Sequence, residues 1–132
     1  MIAQDSLSMA FVLLVVFQLK HFLADYPLQR PYMLGKAQEG WGFVWPLIAH
    51  CLVHSSLTLI VLLICSRLDL WWLALVDFTV HFIMDRIKSG PNFLGRYRDR
   101  NTAAYWNSFG FDQMVHHLTH IYIVWEIIRT RL

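Results

Sequence analysis

Apolar residues fall in four long runs, each close to the ~20 residues that a helix needs to cross the hydrocarbon of a bilayer. The first covers about residues 7–25 and stops before Pro27. The second, about 46–66, opens on Pro46, whose missing N–H is harmless in a first helical turn. The third, about 70–88, is ended by Ser89, Gly90 and Pro91, and the fourth covers about 109–129. This pattern predicts an all-α fold: one membrane domain over residues 1–132, built as an up-down bundle of four transmembrane helices. The link near 66–70 is a tight hairpin. The links at 26–45 and 89–108 are longer and mix basic, glycine and aromatic residues. Their Trp41, Trp45, Tyr97, Tyr105 and Trp106 suit a headgroup belt.

The polar positions inside these runs are not scattered. His21 and Asp25 are four apart, as are His50 and His54. Asp77, His81 and Asp85 advance in steps of four, and so do Asp112, His116 and His120. Residues four apart stack on one helical face, about 6 Å along the axis. His, Asp and Glu fill 16 of the 132 positions, so random placement would put such a residue four after a histidine about once among the seven histidines. It occurs at His21, His50, His81 and His116.

Depth adds to the pattern. In an up-down bundle the end of helix 1 lies beside the start of helix 2, and the end of helix 3 beside the start of helix 4. Asp25, His50, Asp85 and Asp112 then form a layer near one membrane face. His21, His54, His81 and His116 form a second layer one turn deeper, and Asp77 and His120 a partial third. One histidine in an apolar helix is usually a hydrogen-bonded core residue. Four helices agreeing in depth need another reason, because ionisable groups inside a membrane are costly and mark function. His117 points about 100° away from His116 and reads as packing. Glu126, near the far end, reads as a partner of Arg129.

Composition agrees with a bilayer setting. The chain is 57% hydrophobic and 15% charged, well below the ~25% charged residues of soluble domains. A net charge of +2 gives no footprint for nucleic acid, and none is expected as a partner. The lipid bilayer is. Charge placement sets orientation: Arg30, Lys36, Arg86, Lys88, Arg96, Arg98 and Arg100 lie by the long loops, against Arg67, Arg129 and Arg131 on the other side. This bias predicts a multi-pass protein with its long loops cytoplasmic and both termini on the outer side, periplasmic if the membrane is a bacterial inner one. Cys51 and Cys65 lie about 21 Å apart along one helix, beyond disulfide reach, and read as small reduced core residues.

Imidazole and carboxylate together are the ligands of borderline divalent ions. The expected metal ligands are His21, Asp25, His50, His54, His81, Asp85, Asp112 and His116, holding one or two ions, zinc or manganese first and iron as the alternative. Asp77, His120, Gln113 and Gln29 stand behind or beside them. Asp25, Asp85 and Asp112 are the candidate general bases, and Lys88 the candidate holder of an anionic group.

The set His21-x3-Asp25-x3-Gln29, His50-x3-His54, His81-x3-Asp85-x2-Lys88 and Asp112-Gln113-x2-His116 resembles an uncharacterised family of small bacterial and phage membrane proteins, across nearly the whole chain. The resemblance implies an inner-membrane location and supplies no activity. In type, the chain is also similar to membrane-bound metal-dependent hydrolases.

These readings lead to a metal-dependent hydrolase of a lipid or nucleotide phosphoester at the cytoplasmic face, with the loop at 92–106 docking anionic lipid or phosphorylated substrate. Three alternatives stand beside it: a divalent-cation transporter, channel or sensor subunit; a di-iron oxidase or desaturase-like enzyme; and a non-enzymatic phage membrane protein with a structural metal. A bundle this small is also expected to form homo-oligomers.

Overall fold

A computed structural model describes residues 2–130, and every regular element among them is helical. Four long helices carry the fold: α1 (Ile2–Asp25), α2 (Val44–Ile64), α3 (Trp72–Ser89) and α4 (Ala103–Arg129). Short 3₁₀ turns occupy Pro31–Ala37, Leu68–Leu70 and Leu94–Arg96. Helix α1 packs on α2 and α4, and α3 packs on α2 and α4. The chain therefore runs up and down around a ring.

The boundaries differ from the expected ones at instructive places. Helix α4 starts six residues before the expected 109 because Thr102 caps it: its hydroxyl accepts the Tyr105 N–H at 3.4 Å. Tyr105 and Trp106 thus sit in a helical turn rather than a loop. Helix α2 ends at Ile64 because Ser66 adopts a left-handed conformation, φ 55°. The Arg67 N–H then reaches the Leu62 carbonyl at 2.8 Å and the Ser66 N–H the Leu63 carbonyl at 3.0 Å, closing the helix in a Schellman motif. Arg67 ties this turn to the end of α4, donating to the Ile127 carbonyl and the Thr130 hydroxyl. Arg131, counted with the far-face charges, lies outside the described residues.

The two ends of the bundle are chemically different. At one end Leu13, Phe17, Leu62, Leu73, Ile123 and Ile127 form an apolar core. At the other end, one helical stripe on each element turns polar residues inward: Lys20 and His21, His50 and His54, Asp77, His81 and Asp85, then Asp112, His116 and His120, all of them buried.

The outer surface is apolar instead. Phe11, Leu19, Leu52, Ile60, Leu75, Ile83, Leu118 and Ile121 are all exposed. Two helical stretches, Asp5–Asp25 and Val44–Ile64, are long and apolar enough to cross a membrane. Helix α3 carries Asp77, Asp85, Arg86 and Lys88 within 18 residues, which lowers its hydropathy although its charges point largely inward.

Candidate metal centre

The polar end of the bundle closes into one cluster. Helix α1 supplies Asp25 at its last residue, where three imidazoles meet it. His21 Nε2 is 3.1 Å from one carboxylate oxygen; His54 Nε2, at 3.0 Å, and His50 Nε2, at 3.4 Å, approach the other. His50 also lies 3.0 Å from Asp85, so it joins α1 to α3 through α2. Asp85 and Asp112 in turn share His116: the Oδ1 atoms of the two carboxylates are 3.1 and 3.2 Å from His116 Nε2. Beneath them the rings of His54, His81 and His116 stack, with centroids 3.8 and 4.1 Å apart. The expected first and second layers are thus in contact.

The deepest layer is built differently. Asp77 is fully buried and receives the Lys20 ammonium and the Thr58 hydroxyl on one oxygen. Its other oxygen faces His81 at 3.1 Å and His120 at 3.7 Å. Lys20 was not among the sequence candidates. The available signal was the lysine itself: an ammonium inside an apolar run must find an anion, and Asp77 is the carboxylate at its depth. Lys36 was counted only as a loop charge. The 3₁₀ turn at Pro31–Ala37 folds back over the bundle and brings its Nζ to 2.7 Å from Asp85. That turn is anchored where the Lys36 carbonyl accepts from Arg86 and Ser89. Lys88 completes the set, 2.8 Å from Asp112.

Three of the four carboxylates therefore have an ammonium partner, and Asp25 has imidazoles only. Asp25 is also the most exposed of them, with 23% of its side chain accessible. Gln113 donates to Asp112 at 3.0 Å. Glu126 pairs with Arg129 at 2.7 Å, far from the cluster. His117 is half-buried, its ring 5.8 Å from that of His21.

Does this donor set fit a metal ion? Ligand bonds of about 2.0–2.1 Å place neighbouring ligand atoms of a tetrahedral or octahedral site about 2.8–3.4 Å from each other. His116 Nε2 stands at such distances from Asp85 Oδ1 and from Asp112 Oδ1, and all three residues offer ligand atoms within 4.8 Å of one another. Two further groups gather suitable atoms within 4.8 Å: His21 with Asp25 and His54, and His21 with His81 and His120.

The histidines also present free nitrogens. His81 Nδ1 donates to the Asp77 carbonyl at 3.0 Å, which fixes its tautomer and leaves Nε2 with a lone pair. That Nε2 is buried without a hydrogen-bond partner, as are the Nδ1 atoms of His21, His50 and His120. Buried polar atoms are rarely left so, and a cluster of them at one place fits the binding of a cation. His120 thus stands with the possible ligands rather than behind them, whereas Asp77 is taken up by Lys20 and Thr58.

A cavity of about 110 Å³ gives access to the cluster from the long-loop end. Asp25, Asp85 and Asp112 line it, with Gln29, Lys36 and Lys88 around its mouth.

Fold and site define an all-helical bundle with an apolar exterior and a buried histidine, aspartate and lysine cluster open at one end. The chain belongs to the family described as "Protein of unknown function (DUF3307)", which it matches over residues 13–131. No curated protein and no solved structure matches it.

Proposed function

We propose that the protein is a membrane-embedded, divalent-metal-dependent hydrolase that cleaves a phosphoester at the face carrying the long loops. The observation that carries this reading is the convergence of Asp85 Oδ1 and Asp112 Oδ1, whose residues line the cavity, on the buried His116 Nε2. The inward polar stripes and outward apolar faces of α3 and α4 support four spans, although those two helices are less apolar than α1 and α2. The basic loops favour the cytoplasmic side of an inner membrane, with both chain ends opposite.

Asp85, Asp112 and His116 would hold the ion, with zinc or manganese suiting such an oxygen and nitrogen set. His21, His81 and His120 offer a second position. A dication there supplies Lewis-acid activation of water and of a phosphoryl oxygen. The residues of the chain do the rest. Lys36 and Lys88 occupy the outer oxygens of Asp85 and Asp112, which turns the inner oxygens toward His116. Asp25, the carboxylate without an ammonium, accepts the proton of the attacking water. The phosphorus–oxygen ester bond breaks as the new one forms, and the departing oxygen takes up that proton. Lys88 steadies the negative phosphoryl oxygens at the mouth.

The apolar core from Leu13 to Ile127 fills the other half of the bundle, which favours a one-sided site over a through-going ion path. One observation favours a second reading. With Lys20, Lys36 and Lys88 already on Asp77, Asp85 and Asp112, the polar network balances much of its own charge, and a protein with no ion would be held by these pairs alone.

Activity decides between them. Purified protein in detergent with zinc or manganese is expected to release phosphate from a lipid phosphomonoester, and Asp25→Asn to lose about a hundredfold or more in rate. Equal rates for the wild type and Asp25→Asn would overturn the assignment.

A further inference from the structure

A second, larger cavity of about 620 Å³ adjoins the first at the long-loop end. The two share Lys88 and Phe109 in their walls. The larger one adds Arg98 and Arg100 together with Tyr97 and Tyr105. Its size is that of a site for a small organic molecule, not of a groove between headgroups.

The charge in it is not spent internally. Asp99, the one acidic residue between the two arginines, is turned toward Asn101, whose backbone and side-chain N–H groups both donate to its Oδ1. Arg98 donates through Nε to the Gly95 carbonyl at 2.9 Å, which orients the guanidinium, and among the described residues no carboxylate pairs with it. Arg100 makes no side-chain ion pair among the described residues; only its carbonyl is engaged, by the Trp106 indole N–H. Lys88, its ammonium 2.8 Å from Asp112 and 5.1 Å from the Phe109 ring centre, marks the boundary between this cavity and the metal cluster. A concave wall with two unpaired guanidinium groups, an ammonium at its inner edge and aromatic sides has the chemistry of a phosphate site.

We infer that this cavity binds the phosphate monoester group of the substrate, its phosphoryl oxygens on Arg98 and Arg100 and its organic part against Tyr97 and Tyr105, beside Lys88 and the metal cluster. The inference deepens the hydrolase reading and rests on it for the direction in which the ester points; binding itself needs no metal. A positive-inside anchor would explain exposed basic residues such as Arg98 and Arg100, but it does not require them to line a cavity that shares Lys88 and Phe109 with the one over the buried carboxylates.

The test uses the full chain, as wild type and as R98Q/R100Q. Calorimetry follows binding of glycerol 3-phosphate in neutral detergent, and of nanodiscs containing phosphatidic acid against nanodiscs of phosphatidylcholine or phosphatidylserine. Saturable binding by the wild type, weakened about tenfold or more in the double variant with unchanged metal content and melting temperature, supports the site. Binding of the soluble ester marks a free phosphoester as ligand; binding of phosphatidic acid alone marks a lipid headgroup.

Three results would overturn it: no saturable binding of either probe, equal affinity in the double variant, or phosphatidylserine binding as well as phosphatidic acid. Metal analysis of the same samples keeps the two proposals apart. Ester binding by protein that takes up no zinc or manganese even when these are added sinks the metal-dependent reading and leaves this site standing, while metal uptake without ester binding does the reverse.

Discussion

Replacing Lys20 by methionine isolates a lysine–aspartate pair that lies fully inside the bundle. The Lys20 side chain is 3% exposed and that of Asp77 0%, so neither charge has solvent to fall back on. In Lys20→Met the carboxylate keeps the Thr58 hydroxyl and faces the imidazoles of His81 and His120. It loses its only full positive charge among the described residues. Removing one partner of a buried pair costs about 3–5 kcal/mol, chiefly because the other charge is stranded. For a chain of this length that is a fall of roughly 10–20 °C in melting temperature.

The same reasoning makes a second, less obvious demand. Removing both charges in Lys20→Met/Asp77→Leu should restore stability to within about 1 kcal/mol of the wild type or exceed it, since buried pairs replaced by packed apolar groups are often neutral. Thermal unfolding in a mild detergent, followed by tryptophan fluorescence, measures both variants. If the single variant fails to accumulate, recovery of folded protein in the double variant carries the comparison. A single variant within 1 kcal/mol of the wild type would refute the claim that this pair is desolvated and coupled.

Two further outcomes follow from the backbone. Ser66 is a non-glycine residue in the left-handed region at the end of α2; Ser66→Gly should raise stability by about 1 kcal/mol in the same unfolding assay, because glycine adopts that conformation without strain. At Gly95, an added Cβ would press on the carbonyl oxygens of Ser89 and Gly90. Gly95→Ala should therefore lower stability by about 1–3 kcal/mol and loosen the turn that presents Arg98, seen as faster proteolysis within residues 90–100.

Much of this architecture was legible in the pattern of residues, and the parts that were not share a cause. Steps of four along Asp77, His81 and Asp85 placed their side chains on one face, and the ring of antiparallel helices then brought Asp25 to His50 and Asp85 to Asp112. Periodicity reports such intrahelical geometry directly. It says nothing of a loop that folds back, so the approach of Lys36 to Asp85 was invisible. Lys20 is the intermediate case. It has no ionisable residue four positions on, so the periodicity that marks its neighbour His21 does not mark it, although an ammonium at that depth demands a partner. The protein brings three lysines of its own to Asp77, Asp85 and Asp112, which leaves Asp25 as the distinctive carboxylate.

The metal itself is the central claim, and its content per chain is the most direct test. Protein purified in detergent without chelator, analysed by plasma mass spectrometry, is predicted to carry one or two zinc or manganese ions per chain. Asp85→Asn/Asp112→Asn should lose the ion between those residues, and chelation should lower the melting temperature of the wild type. Wild-type protein that is free of metal as purified, takes up none on adding zinc or manganese, and melts at the same temperature with and without chelator would contradict the account.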